Sequence, residues 1–207
     1  MCEHMEKGIS TTLRPTLWRT CRTLANRLRL KLFHTVLSNP DVSVAETAAL
    51  LKINPALASK YMRELNARGL LAVTRHAGNV FYRIEADSSV PQARSLIDAL
   101  TSVFRKEKSP IDVIFRKLTA FTHPRRIAIV RRLKQGPTRF SDLRYDLNIS
   151  TPALQRHLRK LASRGFLQSD MDRGIYALTT TGSPLQMALL RLAQHHVLRD
   201  NKSEKRY

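Results

Sequence analysis

Two segments of the chain repeat one pattern about 96 residues apart. Residues 149–166 read ISTPALQRHLRKLASRGF, and residues 53–70 read INPALASKYMRELNARGL. Each segment starts with a residue that can cap a helix and a proline suited to the first turn, continues with apolar residues at helical spacing, and ends at a glycine. Such a repeat indicates one folding unit used twice, with these two helices as its centre.

The segments around each repeat predict the same series of elements. Apolar periodicity and capping signals predict a leading helix in each unit, then three helices of which the last is the repeated one, and then a β-hairpin. In the first unit, Ser43 and Glu46 are predicted to form a capping box. In the first unit the elements preceding the repeat are helices over 13–24, 27–37 and 44–51, and the hairpin strands are 70–76 and 80–85. In the second unit they are helices over 111–121, 126–133 and 140–147, with hairpin strands 166–169 and 175–180.

The two starts differ by one residue in where their proline falls. Thr151 and Pro152 match the capped start at Asn54 and Pro55, but the shared Pro-Ala-Leu is displaced by one residue relative to the leucines that follow. We therefore expect Thr151 to act as the cap and the two helix starts to differ by a residue.

Three helices followed by a hairpin is the winged-helix order. We predict a mainly α fold with small β-hairpins, built from two tandem winged helix-turn-helix domains joined by a helical linker. The predicted organisation is a disordered N-terminus (1–10), the first unit (11–89), a linker helix (90–109), the second unit (110–183), and a C-terminal helix with a polar tail (184–207).

The charge of the chain restricts its partners. Lys and Arg number 36 against 16 Asp and Glu, a formal net charge of +20. A nucleic acid, an anionic membrane or an acidic protein is the partner such a charge favours. No uncharged apolar run approaches the roughly 18 residues of a membrane span, and the two cysteines, Cys2 and Cys21, have no zinc or disulfide spacing. We therefore expect a cytoplasmic, nucleoid-associated protein whose partner is double-stranded DNA.

The outward face of each repeated helix supplies the candidate contacts. Arginine can bond guanine O6 and N7, glutamine can bond adenine N6 and N7, and threonine at a helix start can hold a phosphate. A solvated basic face is the alternative for any single helix of this composition. The candidates on the second recognition helix are Thr151, Gln155, Arg156, Arg159 and Lys160, and those on the first are Asn54, Ser59, Lys60 and Arg63.

The two hairpins carry opposite charge. Arg75, His76 and Arg83 make the first one basic, which suits contact with phosphates or a minor groove. Asp170 and Asp172 place negative charge near the tip of the second. The second hairpin is interpreted either as a solvated turn or as a contact for a partner protein.

Both units resemble the ArsR-type and related winged-helix transcriptional regulators. Residues 26–30 and 123–127 are similar to the start of that family's first core helix, and residues 59–65 and 155–161 are similar to its recognition helix. The resemblance implies DNA binding and transcriptional regulation. The family usually has one domain per chain and dimerises, whereas two are fused here, which would give an intramolecular pseudo-dimer. Its metal sensors carry a Cys-x-Cys pair that is missing here, so we expect no metal at that place.

Enzymatic motifs are missing from the sequence. It contains no phosphate-binding glycine loop, CxxC pair, HExxH or GxSxG. His195 and His196 could be suggested as metal ligands, but adjacent helical residues point about 100° apart and do not readily share an ion. We therefore predict no catalytic residues, no cofactor and no metal.

The function predicted from the sequence is a transcriptional regulator that reads duplex DNA through both repeated helices. Two alternatives are a tandem winged-helix replication or chromosome-architecture protein and a protein–protein interaction module in a larger assembly. The helices over 13–24, 90–106 and 184–198 are expected either to hold the two units together or to form a homodimer. The sequence does not identify an effector ligand.

Overall fold

Helices make up most of the computed structural model, which describes residues 15–76, 78–170, 172–180 and 182–195. The helices are α1 (Leu17–Leu24), α2 (Arg27–Ser38), α3 (Val44–Leu51), α4 (Pro55–Asn66), α5 (Ala93–Lys106), α6 (Pro110–Leu118), α7 (Pro124–Lys134), α8 (Phe140–Leu147), α9 (Thr151–Ser163) and α10 (Pro184–His195). The strands are β1 (Val42–Ser43), β2 (Leu71–His76), β3 (Asn79–Ile84), β4 (Thr138–Arg139), β5 (Leu167–Asp170) and β6 (Ile175–Leu178). The mainly α class is confirmed. The predicted disorder of residues 1–10, the helix start at Leu13 and the helix end at Leu198 lie outside the described residues.

Local capping explains where α3, the short helix before the first repeat, begins. In the first unit Ser43 Oγ accepts a bond from the Glu46 amide at 3.1 Å, and a Glu46 carboxylate oxygen accepts one from the Ser43 amide at 2.8 Å. This is the predicted capping box, and it is confirmed. Because it satisfies amide donors that a helix start leaves unpaired, it sets the first residue of α3 at Val44.

Each unit contains a three-stranded antiparallel sheet, in the order β1-β3-β2 and β4-β6-β5. Both predicted hairpins are confirmed, with β2 paired to β3 and β5 paired to β6. The two outer strands β1 and β4 were not predicted. Each has only two residues, which is too short for an alternating pattern. They are defined by their pairing with β3 and β6, for example of Val42 with Tyr82 and of Thr138 with Tyr176.

The starts of α4 and α9 contradict two predictions, one about the cap of α9 and one about where the two helices begin. The Asn54 side chain accepts a bond from the Ala56 amide at 2.7 Å and caps α4, as predicted. In α9, however, Ser150 holds the capping position without a side-chain bond, and Thr151 is the first helical residue. The predictions that Thr151 caps the helix and that the two starts differ were therefore wrong. The proline has moved from the first to the second helical position, and both positions tolerate it because their amides need no partner within the helix.

The two units share one apolar core. Leucines and alanines of α5 and α10 are buried, and both helices belong to the single cluster of buried apolar residues that runs through both units. α10 packs against α5, α6 and α7, and α1 and α2 pack against α6. Within the chain, the terminal and linker helices hold the two units together, which was one of their two expected roles. The other role, formation of a homodimer, stays a prediction.

Gly69, which follows α4, offers a test of how tightly the linker packs. Its φ is +70°, and a Cβ there would lie 2.8 Å from Val90 Cγ2. Gly78 has a similar φ of +78° but nothing within 4 Å. We expect Gly69→Ala to lower the free energy of unfolding by about 3 kcal/mol, since left-handed strain and overpacking add, and Gly78→Ala by about 1 kcal/mol. Urea unfolding of both variants measures the difference, and equal losses would contradict the close packing against Val90.

Candidate nucleic-acid interface

Helix α9 separates its apolar and basic side chains on opposite faces. Leu154, Leu158 and Leu161 are buried, as the spacing predicts. On the other face Thr151, Gln155, Arg156 and Arg159 are exposed and Lys160 is half-buried. The predicted outward set therefore lies on one side of the helix, and its contact with DNA stays a prediction.

The positive charge on this face is not neutralised within the described part of the chain. Arg156, Arg159 and Lys160 have no carboxylate within 4.0 Å and donate no side-chain hydrogen bond to a described residue. Burial, and to a smaller extent the positive charges of Arg164 and Arg126, lowers the pKa of Lys160. Cations without an acidic partner can neutralise the phosphates of a nucleic acid, which then releases its condensed counterions.

A pocket of about 790 Å³ lies between this face and the start of α7. We call it the anion pocket. Its lining residues are His123, Arg126, Arg156, His157, Arg159, Lys160 and Ser163.

Arg126 is the most fixed cation of the pocket. Its Nε donates to the Ala120 carbonyl at 2.6 Å, and its Nη2 donates to Thr122 Oγ1 at 2.7 Å and to the Thr119 carbonyl at 3.2 Å. Burial lowers its pKa. All three acceptors are neutral, and no described carboxylate lies within 4.0 Å, so the positive charge is held in place without being compensated.

The same place in the first unit has a different electrostatic character. Arg29 corresponds to Arg126, and it forms an ion pair with Glu64 and lies over the Tyr61 ring at 5.0 Å. The residue at the position of Glu64 in the second unit is Lys160, 96 positions later. A carboxylate has thus been replaced by an ammonium group, and only the second unit has an uncompensated arginine there.

The predicted contacts of the first unit include fewer cations. Lys60 and Arg63 are exposed on α4, and Arg63 Nε also donates to the Ser59 carbonyl at 3.3 Å. Ser59 itself is half-buried, and the Asn54 oxygen is occupied as a helix cap. This face therefore presents two cationic groups, where α9 presents three.

Both hairpins contain charged side chains that form ion pairs within the protein. Arg75 and His76 are exposed where β2 approaches its turn, but Arg83 lies further along β3 and donates to Glu85 at 2.7 Å, with Asp41 at 4.0 Å. Arg83 is therefore the member of the predicted basic set whose charge is compensated. In the second hairpin, whose Asp172 is exposed, the Asp170 carboxylate accepts the Arg173 amide at 3.1 Å and lies 3.7 Å from its Nε.

Four members of the anion pocket were not predicted from the sequence, namely His123, Arg126, His157 and Ser163. Arg126 and His123 were assigned only to the start of a core helix, and His157 was grouped with the recognition helix without a role. One signal was present: aligning the two repeats places Lys160 opposite Glu64 and His157 opposite Tyr61. The change of charge sign from Glu64 to Lys160 is the signal in the sequence that points to this place.

The comparisons with known proteins concern the second unit. Residues 119–200 match the model of a family described as HVO_A0261 N-terminal domain, which covers less than half of the chain. The matched segment includes α7, α9 and α10, and therefore every residue that lines the anion pocket. Neither a curated protein nor a solved structure gave a match.

Two further observations concern membranes and metals. None of the helices in the described ranges has both the length and the apolar character needed to cross a membrane. Within the same ranges, no group of three or more His, Cys, Asp or Glu side chains could hold a metal ion. His196 lies outside the described residues, as does the side chain of His195.

His157 sits at the inner wall of the pocket and predicts a dependence of stability on pH. Its ring is 97% buried (3% exposed), lies 4.6 Å from the His123 ring, and has an Nδ1 without a hydrogen-bond partner. Burial first, and then His123, Arg126, Arg156 and Arg125, lower the pKa of His157 to about 4. Burial and the same arginines also lower the pKa of His123, whose Nδ1 accepts the Arg125 amide at 3.1 Å and so caps α7.

We expect the free energy of unfolding to fall as the pH drops from about 6.5 to about 4. The unfolded imidazole of His157 takes up a proton in that window while the folded one does not, so acid favours the unfolded chain. The full shift corresponds to roughly 3 kcal/mol for this one group. Urea unfolding at several pH values should show that the free energy of unfolding depends less steeply on pH in His157→Phe. An unchanged slope would contradict the assignment of this pH dependence to His157.

Proposed function

We propose that the protein is a DNA-binding transcriptional regulator in which α9 reads the major groove of duplex DNA. The observation that carries this proposal is the cluster formed by Arg156, Arg159 and Lys160, which have no acidic partner among the described residues and lie on one face of α9. Arginine and glutamine at such positions can read guanine and adenine edges, while lysine neutralises phosphates. Gln155 on the same face adds the adenine-reading group.

The winged-helix arrangement is part of the proposal. The order α7, β4, α8, α9 followed by the hairpin of β5 and β6 supports it, and the first unit repeats the order from α2 to β3. In this arrangement α9 is the recognition helix, in the manner of the ArsR-type regulators that the sequence resembles. Helix α4 would be a second, weaker reading helix, and if both engage one duplex their sites fall on one face about 34 Å or a multiple apart.

Titration with duplex DNA over a salt series tests the proposal. With about five neutralised phosphates, the dissociation constant should rise by two to three orders of magnitude, roughly, between 50 and 200 mM salt. Selecting bound sequences from a random duplex pool then shows whether one sequence is preferred. A preferred sequence supports regulation, while steep salt dependence without any preference favours an architectural protein. No duplex binding at about 50 mM salt would overturn both and leave an interaction module.

A further inference from the structure

We propose that the anion pocket binds a single phosphate-class oxyanion, held by Arg126 and Lys160 beside the ring of His157. Either a backbone phosphate of DNA or a phosphate group on a free molecule can supply this chemistry. The first of these sources rests on the proposed function, whereas the second does not. Three features of the molecule bear on this pocket: the geometry of Arg126, the position of the His157 ring, and the corresponding site of the first unit.

The guanidinium of Arg126 is oriented with one nitrogen left over. Nε and Nη2 make three hydrogen bonds to neutral oxygens, whereas Nη1 makes none with any described residue. A guanidinium held on one edge presents the remaining N–H groups in a fixed direction, which favours an oxyanion over water because little side-chain entropy is left to lose. Arg126 therefore offers oriented N–H donors as well as a positive charge.

The ring of His157 lines the same pocket. Its side chain is nine-tenths or more buried, and its Nδ1 is shielded from solvent and has no partner in the protein. An oxyanion held by Arg126 and Lys160 would therefore lie beside this ring, and the imidazole resonance would report its presence.

The first unit shows what occupies this place when the chain supplies the anion itself. There the Glu64 carboxylate forms an ion pair with Arg29, the counterpart of Arg126. Lys160 replaces that carboxylate in the second unit, and so removes the internal anion and adds a cation at one position. An external oxyanion in the anion pocket would restore the pairing that Glu64 provides in the first unit.

Inorganic phosphate, titrated into the full chain at constant ionic strength against chloride, tests the pocket without DNA. The imidazole resonance assigned to His157 by its loss in His157→Gln should shift saturably. Lys160→Glu recreates the ion pair of the first unit, so we expect it to raise the dissociation constant for phosphate by about tenfold or more. The matched exchange in the first unit, Glu64→Lys, should leave the His157 response unchanged.

Arg156→Gln provides a second variant in case Lys160→Glu does not fold. Arg156 is exposed on α9, so its replacement leaves the core intact, and it should also weaken phosphate binding. The proposal is overturned if phosphate produces no saturable shift of His157, or if the shift is unchanged in both Lys160→Glu and Arg156→Gln.

Adding duplex DNA to the phosphate-bound protein distinguishes the two sources. If DNA and phosphate compete at His157, a backbone phosphate occupies the pocket; if both bind at once, the ligand is a free phosphate-bearing molecule. Phosphate binding without any duplex binding would overturn the proposed function and leave the anion pocket standing. Duplex binding without a phosphate response at His157 would overturn the anion pocket alone.

Discussion

Replacing both Arg156 and Arg159 by alanine is expected to weaken binding to the preferred duplex by about 100-fold or more. A bidentate contact between arginine and guanine is worth about 1–3 kcal/mol, so two contacts of about 2 kcal/mol each exceed this factor. Both side chains are exposed on α9, and neither has an acidic partner among the described residues. Since the apolar face of α9 is untouched, the double variant should keep the wild-type midpoint of thermal unfolding.

The matched control is the same pair of changes in the first unit, Lys60→Ala with Arg63→Ala. These residues occupy the corresponding positions of α4, but Arg63 is partly engaged with the Ser59 carbonyl and the nearby Asn54 oxygen is used as a cap. We expect their loss to weaken binding by less than about tenfold. Fluorescence anisotropy at one fixed salt concentration compares the two double variants. Equal weakening would show that α9 is not the principal reading helix.

The largest expected effect on stability comes from Phe166→Ala. Phe166 is fully buried just after α9, and its ring meets the fully buried Phe121 ring edge-on at 4.9 Å and 75°. Lys117 Nζ lies 5.4 Å from the centre of the Phe166 ring. Removing the ring leaves a cavity and an unpartnered aromatic edge, so we expect a loss of about 3–5 kcal/mol in the free energy of unfolding.

A loss of this size is a large fraction of the stability of an ordinary domain. Phe166 also lies between the end of α9 and β5, so its loss should loosen α9 and, under the proposed function, weaken DNA binding through the fold rather than through charge. Tyr145→Ala is the control, because that side chain is 86% exposed and its removal should change the stability by no more than about 0.5 kcal/mol. Denaturant unfolding of both variants makes the comparison. If Phe166→Ala lowered the stability as little as Tyr145→Ala, the edge-on packing of Phe166 against Phe121 would be contradicted.

Much of the fold could be predicted because its signals are local. The capping box of Ser43 and Glu46, the proline near the start of each repeated helix and the leucine stripe of α9 depend on neighbours a few residues away. Such signals act the same way wherever the segment lies in the molecule. The prediction for Thr151 was wrong for a related reason: the match to Asn54 and Pro55 followed the proline, whereas the helix start follows the register of the buried leucines.

Other features depended on contacts between distant segments. The strands β1 and β4 exist only because β3 and β6 lie beside them, and the joining of the units depends on α5 meeting α10. For the same reason Arg83 could not be separated from Arg75 and His76 by sequence, because its acidic neighbours include Asp41 from another loop. Charge counts in the sequence do not distinguish a free cation from a paired one.

By itself, the sequence determined the duplication, the positions of nearly all the helices and the outward basic face of α9, since helical periodicity is written in consecutive residues. Only the tertiary structure decided that His123 and Arg126, from a different helix, join His157 and Lys160 around one pocket. The physical reason is the range of the interactions. Burial, desolvation and the absence of a nearby carboxylate depend on everything packed around a side chain, and in this pocket those neighbours come from segments about 30 residues apart in the chain.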